Sequence, residues 1–307
     1  VEPHVPDPTI DVVIPAYNAG RFIERALLSV RSQTLRVQQI IVVDDGSTDD
    51  TAAQVQLFAS RYPDVSVVCI SQDNAGVSAA RNRGLHLVDA DFVALLDADD
   101  EWVPSKLAQQ MALFDADPGQ RLAMVYCDYD LIGGGSEPLA RASAVPARLR
   151  GDVHRALLKG NLISGSCSAV VVRRQVLKDV GDFDETLVCA EDWDLWLRIS
   201  EKYLVDYVPG ILVHIRQHRA NSQSDSLRML GGELRFVDKL QAREELSFWH
   251  VLRLRAKMQR LMVGLPDYSP WRPSVRLSER LESAWTGIFA CGYNKVRDVV
   301  HNRIRRQ

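Results

Sequence analysis

Through its first 115 residues the chain alternates short apolar runs with amphipathic stretches, and this rhythm restricts the fold more than any other feature. Asp11-Val-Val-Ile14 reads as a strand, Gly20 to Val30 as a helix, and Gln39-Ile-Ile-Val-Val43 as a second strand. Asp49 to Ser60 reads as a helix with Ser47 or Thr48 as its cap. Val65 to Ile70 and Phe92 to Leu96 read as further strands, Gly76 to Val88 and Pro104 to Phe114 as the helices after them. Strands alternating with helices at this spacing build a largely parallel, doubly wound α/β sheet, and ligands of such sheets gather beyond the carboxyl ends of the strands.

That rule gives the strand ends their meaning. Phe92-Val-Ala-Leu-Leu runs straight into Asp97-Ala-Asp99-Asp100, three carboxylates in four positions. Like charges so close repel unless hydrogen bonds, water or a cation compensates them. A divalent metal is a natural partner, because Mg²⁺ binds through one or two carboxylates together with substrate phosphates. The plainer alternative is a polar turn in which Asp100 caps the next helix. Two other strands end in polar punctuation, Pro15-Ala16-Tyr17-Asn18 and Asp44-Asp45-Gly-Ser-Thr48. A parallel sheet puts all three segments on one rim. No GxxxxGK or GxGxxG loop accompanies them. A nucleotide bound here would have its diphosphate met by a metal and by scattered polar groups.

Bulk properties narrow the function classes. The formal net charge of −3 over 307 residues argues against a general nucleic-acid binder. The charge is unevenly spread: residues 228–307 hold 16 Lys and Arg against 8 Asp and Glu. The 5 cysteines are scattered without a CxxC pair, which fits a reducing compartment and gives no zinc or disulfide framework. The polar, proline-rich start is neither a signal peptide nor an anchor, and no apolar run reaches the ~18 residues of a membrane span. A cytoplasmic protein, able to sit at the cytoplasmic face of a membrane, is expected.

Past residue 115 the reading is coarser. Ala123 to Tyr126 and Ala169 to Val172 look like strands, Gly133 to Ser136 like a flexible loop and Asp152 to Lys159 like a short helix. Glu191 to Ile199 is an amphipathic helix, and Val205 to Val208 with Ile211 to Ile215 suggest a strand pair. Six segments then stand in a telling order: Val13-Ile-Pro-Ala-Tyr-Asn18, Val42-Val-Asp-Asp-Gly-Ser-Thr-Asp49, Asn74 to Gly84, Leu96-Asp-Ala-Asp-Asp100, Gly181-Asp-Phe-Asp-Glu185 and Glu191-Asp-Trp-Asp-Leu-Trp-Leu-Arg198. With these pieces the chain resembles a family-2 glycosyltransferase of the GT-A fold, bacterial in type. The resemblance spans residues 10–222, after a tail of residues 1–9, and leaves residues 223–307 as a helical extension outside it.

The resemblance implies transfer of a sugar from a nucleotide diphosphate, a UDP-sugar foremost, with inversion at the anomeric carbon. The acceptor would be a hydroxyl of a glycan or glycolipid in surface polysaccharide synthesis. Pro15, Ala16, Tyr17 and Asn18 would line the nucleotide side. Asp45 would accept from a pyrimidine imide, Arg81 would reach base or phosphates, and Asp97 would hold the ribose. Asp99, Asp100 and His218 would bind Mn²⁺ or Mg²⁺, with His214 the weaker histidine, and Arg216 would contact phosphate oxygens. Asp192 would be the general base, Glu191 its rival or an acceptor-orienting group, and Trp193 would face the acceptor. Arg216, His218 and Asn221 match an Arg-x-His-x-x-Asn-x-Ser-like segment, except that Ser222 follows Asn221 directly.

Two alternatives belong beside this reading. A non-catalytic GT-A-like module would bind sugar nucleotides or scaffold a glycan assembly, but the full acidic set argues for chemistry. A sugar-nucleotide pyrophosphorylase should carry a Gly-rich, Arg-containing loop after the first strand, and Pro15-Ala-Tyr-Asn18 is not one. The basic stretches Trp249 to Val263 and Asn294 to Gln307 suit a membrane surface, a homodimer face or an ordinary solvated helix.

Overall fold

A computed structural model describes residues 8–117, 119–139, 149–163, 167–218 and 226–243. The chain divides into two compact units, residues 1–221 and 222–307. In the second unit the described residues hold one helix, α8 (Ser226–Ala242).

The first unit is built on one eight-stranded sheet. Its first strands are β1 (Ile10–Ala16), β2 (Gln39–Asp44), β3 (Val67–Ser71) and β4 (Phe92–Leu95). Then come β5 (Glu101–Trp102), β6 (Leu122–Ile132), β7 (Val171–Arg173) and β8 (Leu204–Arg216). Their order across the sheet is β3-β2-β1-β4-β7-β6-β8-β5. β1 to β4 pair in parallel, β7 joins antiparallel between β4 and β6, β8 runs parallel to β6, and β5 lies antiparallel to β8. The half nearest the N-terminus is thus the doubly wound sheet that the strand–helix rhythm requires, and the second half is mixed.

Every residue of β1 and β4 is buried, as expected of strands covered on both faces. The covering helices are α1 (Ile23–Arg31), α2 (Thr51–Arg61), α3 (Val77–Leu85) and α4 (Lys106–Asp115). α1 buries Ile23, Ala26, Leu27 and Val30, the i, i+3, i+4, i+7 stripe of a helix lying on a core. α3 approaches more closely still: a Cβ on Gly84 would stand 2.4 Å from Cγ1 of Val13. The later helices are α5 (His154–Leu157), α6 (Arg174–Val180) and α7 (Glu191–Lys202), with a 3₁₀ turn at Cys167–Ala169.

Two local expectations are corrected. α2 is not capped by Ser47 or Thr48: Ser47 Oγ accepts the Asn18 N–H, the Thr48 N–H goes to Asn18 Oδ1, and Asp49 Oδ1 takes the Thr51 N–H. The pair expected over Val205–Val208 and Ile211–Ile215 is one strand. Both halves of β8 pair with β6, and the register breaks where Cys127 and Asp128 face Val208 and Ile211. Pro209 and Gly210, the latter at φ 139°, bulge out between them. Asn221, Ser222 and the basic stretches at 249–263 and 294–307 lie outside the described residues.

Candidate active site

The rim beyond β1, β2 and β4 carries the three polar segments, and hydrogen bonds lace two of them together. The Asp45 N–H donates to Ala16 O at 2.8 Å, and Asn18, left-handed at φ 49°, reaches across to Ser47 and Thr48. Pro15 and Ala16 are buried strand residues, so only their backbone remains for the nucleotide side they were assigned to. Tyr17, 53% exposed, projects its ring from this edge.

Asp45 does not stand as expected. Its Oδ1 accepts from Gln72 Nε2 at 2.7 Å and the Ala75 N–H at 2.9 Å, and its Oδ2 from the Gly76 N–H at 2.8 Å. At 3% exposure it holds the entry to α3 through three of the chain's own donors, and its Oδ2 accepts one of them.

The acidic loop after β4 is held from below by Ser168 of the 3₁₀ turn. Ser168 Oγ accepts the Asp97 N–H at 3.0 Å and donates to Asp100 Oδ2 at 2.6 Å. Asp100 Oδ1 takes the Arg216 N–H at 3.0 Å. Burial, then the charges of Asp99 and Asp97, push the Asp100 carboxyl well above the usual range. Asp100 is therefore a buried anchor of the loop, and its assignment as a metal ligand is corrected. Arg216 is corrected likewise. It is fully buried and gives its guanidinium to Asp99 O (2.8 Å), Gly133 O (2.7 Å), Ser136 Oγ (3.0 Å) and Glu101. These partners pin the end of β8 to the acidic loop and to the turn at residues 133–136, and that turn is tied down where a flexible loop was expected.

This pinning sets His218 on Asp99, with Nε2 2.9 Å from Oδ2 and the imidazole stacked on Phe22 at 4.7 Å between centroids. Burial and the neighbouring Asp97 charge raise the Asp99 carboxyl, and His218 lowers it. A carboxylate and an imidazole converging where negative charge is crowded suit a divalent cation that takes its other ligands from phosphate and water. The donor set fits with Asp99 and His218 alone. No group of three potential ligands occurs among the described residues. His214 faces away from this pair, onto Asp130.

The other wall of the cleft is the start of α7, entered through Ala190 in the left-handed region at φ 62°. Asp192 Oδ1 accepts the Trp193 N–H at 2.6 Å and Oδ2 accepts from Asn161 Nδ2 at 3.3 Å. Burial first, then the adjacent Glu191 charge, push the Asp192 carboxyl up to about 6, against Arg81 and the two hydrogen bonds. Trp193 is 7% exposed and donates its indole N–H to Leu157 O at 2.8 Å, so it belongs to the core and not to the acceptor side.

Arg81 joins the two walls. Its Nη2 lies 2.8 Å from Asp97 Oδ1 and its Nη1 2.8 Å from Glu191 Oε1. These contacts occupy the guanidinium expected to reach base or phosphates, and they tie up the Glu191 carboxylate named as rival base. Three supporting residues escaped the sequence reading. Ser168 and Asn161 carry no local signal, whereas Glu101 continues the acidic run directly.

Residues 11–181, more than half of the chain, match the family described as "Glycosyl transferase family 2". The amylovoran biosynthesis glycosyltransferase AmsB of Erwinia amylovora is 30% identical over 72% of this chain and 76% of its own length. An uncharacterized glycosyltransferase of Rickettsia typhi is 28% identical over 73% of this chain and 68% of its own. S. aureus TarS 1–349, solved with UDP-GlcNAc, superposes with a TM-score of 0.62 at 18% identity, over 91% of this chain and 79% of that one. The mannosyltransferase PcManGT of Pyrobaculum calidifontis, solved with GDP-Man and Mn²⁺, gives 0.61 at 17%, over 96% and 84%. The fold is accordingly GT-A, and the chain belongs to glycosyl transferase family 2.

Proposed function

We propose that this chain is an inverting glycosyltransferase that moves a sugar from a nucleoside diphosphate, UDP foremost, to a hydroxyl of a glycan or glycolipid. The observation that carries the reading is the Asp97–Arg81–Glu191 bridge. It ties a donor-type acidic loop to a helix whose first turn offers a carboxylate of raised proton affinity. Asp192 removes the proton of the acceptor hydroxyl as that oxygen attacks the anomeric carbon, on the face opposite the departing diphosphate. One displacement inverts the centre and needs no protein nucleophile. Tyr17 offers its ring to the nucleotide, and Asp97 keeps one carboxylate oxygen for the ribose. A divalent cation, when bound, supplies Lewis-acid stabilisation of charge on the leaving diphosphate. Asp99 and His218 are the residues that would hold it.

The similar structures carry UDP-GlcNAc in one case and GDP-Man in the other, so the donor class is the first thing to measure. A panel of UDP-, GDP- and dTDP-sugars with Mn²⁺ should yield one class that raises the melting temperature. With that donor, wild type should release nucleoside diphosphate. Asp192→Asn should lose about 10²–10⁴-fold in turnover, the usual contribution of a positioned base. Asp99→Ala should lose metal-stimulated release. Full activity in both variants would refute these assignments.

A further inference from the structure

Arg81 is unusual in what its burial costs. It is 4% exposed, its Nε has no hydrogen-bond partner, and it spans carboxylates 94 positions apart in the chain. A buried ion pair is rarely worth more to stability than apolar side chains of the same volume. Stability alone therefore does not account for it. The left-handed Ala190 puts a second local cost at the same place, just before Glu191.

The neighbouring residue reinforces the grip. Asn82 donates to Phe183 O at 3.0 Å and to Glu185 Oε1 at 2.8 Å, and its Oδ1 accepts the Phe183 N–H at 2.9 Å. The Arg81 guanidinium also lies 5.3 Å from the Phe183 ring centroid. α3 therefore holds the segment from Phe183 to Glu191 through two successive side chains. α3 itself is seated on the central sheet at Gly84, where no side chain would fit.

We propose that Arg81 is a positioning residue for the transfer step: by bridging Asp97 and Glu191 it fixes the start of α7, and with it Asp192, against the donor-side acidic loop. It acts through these carboxylates without touching the nucleotide sugar. The inference rests on Asp192 being the base. Among the described residues the groups facing Asp192 are Glu191 on its own helix, Arg81 from α3, Asn161 after α5 and the Cys167 thiol of the 3₁₀ turn. Among these Arg81 is the cation, so its loss lets Asp192 take a proton at higher pH.

The test uses the full chain as Arg81→Met, Arg81→Lys, Glu191→Gln and the Arg81→Met/Glu191→Gln double variant, with the donor that wild type hydrolyses. Affinity for the free nucleoside diphosphate should stay within about threefold, while kcat falls about 10²-fold, the scale of a small misplacement of reacting groups. Arg81→Lys should rescue little, because one ammonium cannot bridge two carboxylates as a planar fork does. The acid limb of the rate profile should move up by about one pH unit in Arg81→Met. The double variant should be no slower than the slower single, as for residues acting as a unit. A tenfold or greater loss of nucleotide affinity with an unmoved acid limb would overturn the inference and make Arg81 a nucleotide contact. Unchanged kcat in Arg81→Lys and Glu191→Gln would overturn it even if Arg81→Met fails to fold. If wild type hydrolyses no donor, the functional reading fails separately. Carboxyl NMR titration of Asp192 in wild type and Arg81→Met then still decides, since an unmoved midpoint on loss of the cation counts against the bridge.

Discussion

Asp192 shows how one side chain ties chemistry to stability. Its carboxyl sits near 6 in the folded protein against 3.8 for an unperturbed aspartate, with burial as the leading cause. The base must be ionised to work, so turnover should fall as pH drops through about 6, and Asp192→Asn should lose that limb. The stability consequence has the opposite sign to that of a salt-bridged carboxylate. A raised native value means that ionised Asp192 costs the fold free energy above about pH 6, and that the cost vanishes below about 3.8. Asp192→Asn should therefore be as stable as wild type or up to roughly 1–3 kcal/mol more stable at pH 8, with no gain at pH 3.5. Urea unfolding at the two pH values checks this, and a variant weaker at pH 8 would mean that the carboxylate is structural.

At the scale of elements, α3 lies close against β1 and β2. A side chain at Gly84 would meet Val13 at 2.4 Å and Val43 at 3.3 Å. Gly84→Val should cost about 1–3 kcal/mol through overpacking, read as a lower urea midpoint with an unchanged slope. Elements were legible in the sequence wherever local pattern decided them. β1, β2 and β4 declare themselves as β-branched runs buried on both faces, and α1 by its stripe. β5 has two residues and exists through its pairing with β8, which no local pattern encodes. β8 looked like a hairpin because Pro209-Gly210 resembles a turn, whereas its partner is β6, far back in the chain. The site divides in the same way. Crowded acids at strand ends announced a polar rim, where His218 meets Asp99 and Arg81 ties Asp97 to Glu191. Which acids face the cleft was not legible. Asp100 is taken up by Ser168 and the Arg216 N–H, 68 and 116 positions distant, Arg216 by Glu101, 115 positions distant, and Asp45 by backbone N–H groups of the loop before α3.

On the scale of the whole molecule the basic stretch is the last quarter of the chain, residues 228–307. No helix among the described residues is long and apolar enough to cross a membrane. The excess of Lys and Arg over residues 228–307 suits an anionic lipid surface carrying the acceptor. The full chain should then float with vesicles containing phosphatidylglycerol and not with neutral ones, and about 0.5 M salt should release it, since screening shortens the reach of such attraction to a few ångströms. Flotation indifferent to lipid charge would leave the basic stretch as an ordinary solvated or dimer-forming surface. The two bulged residues of β8, Pro209 and Gly210, carry a different kind of consequence. Losing one of them would still leave a one-residue bulge and Ile211 opposite Asp128, so the bulge is slack in the strand. The paired stretch from Val213 to Ile215 has no such slack: strand faces alternate, and a single codon lost there would turn the guanidinium of Arg216 off Asp99, Gly133, Ser136 and Glu101 and carry His218 away from Asp99. Reading-frame-neutral deletions tolerated at the bulge would a few positions later disarm the acidic loop from a distance, which makes the spacing between Val213 and His218 a hereditary constraint.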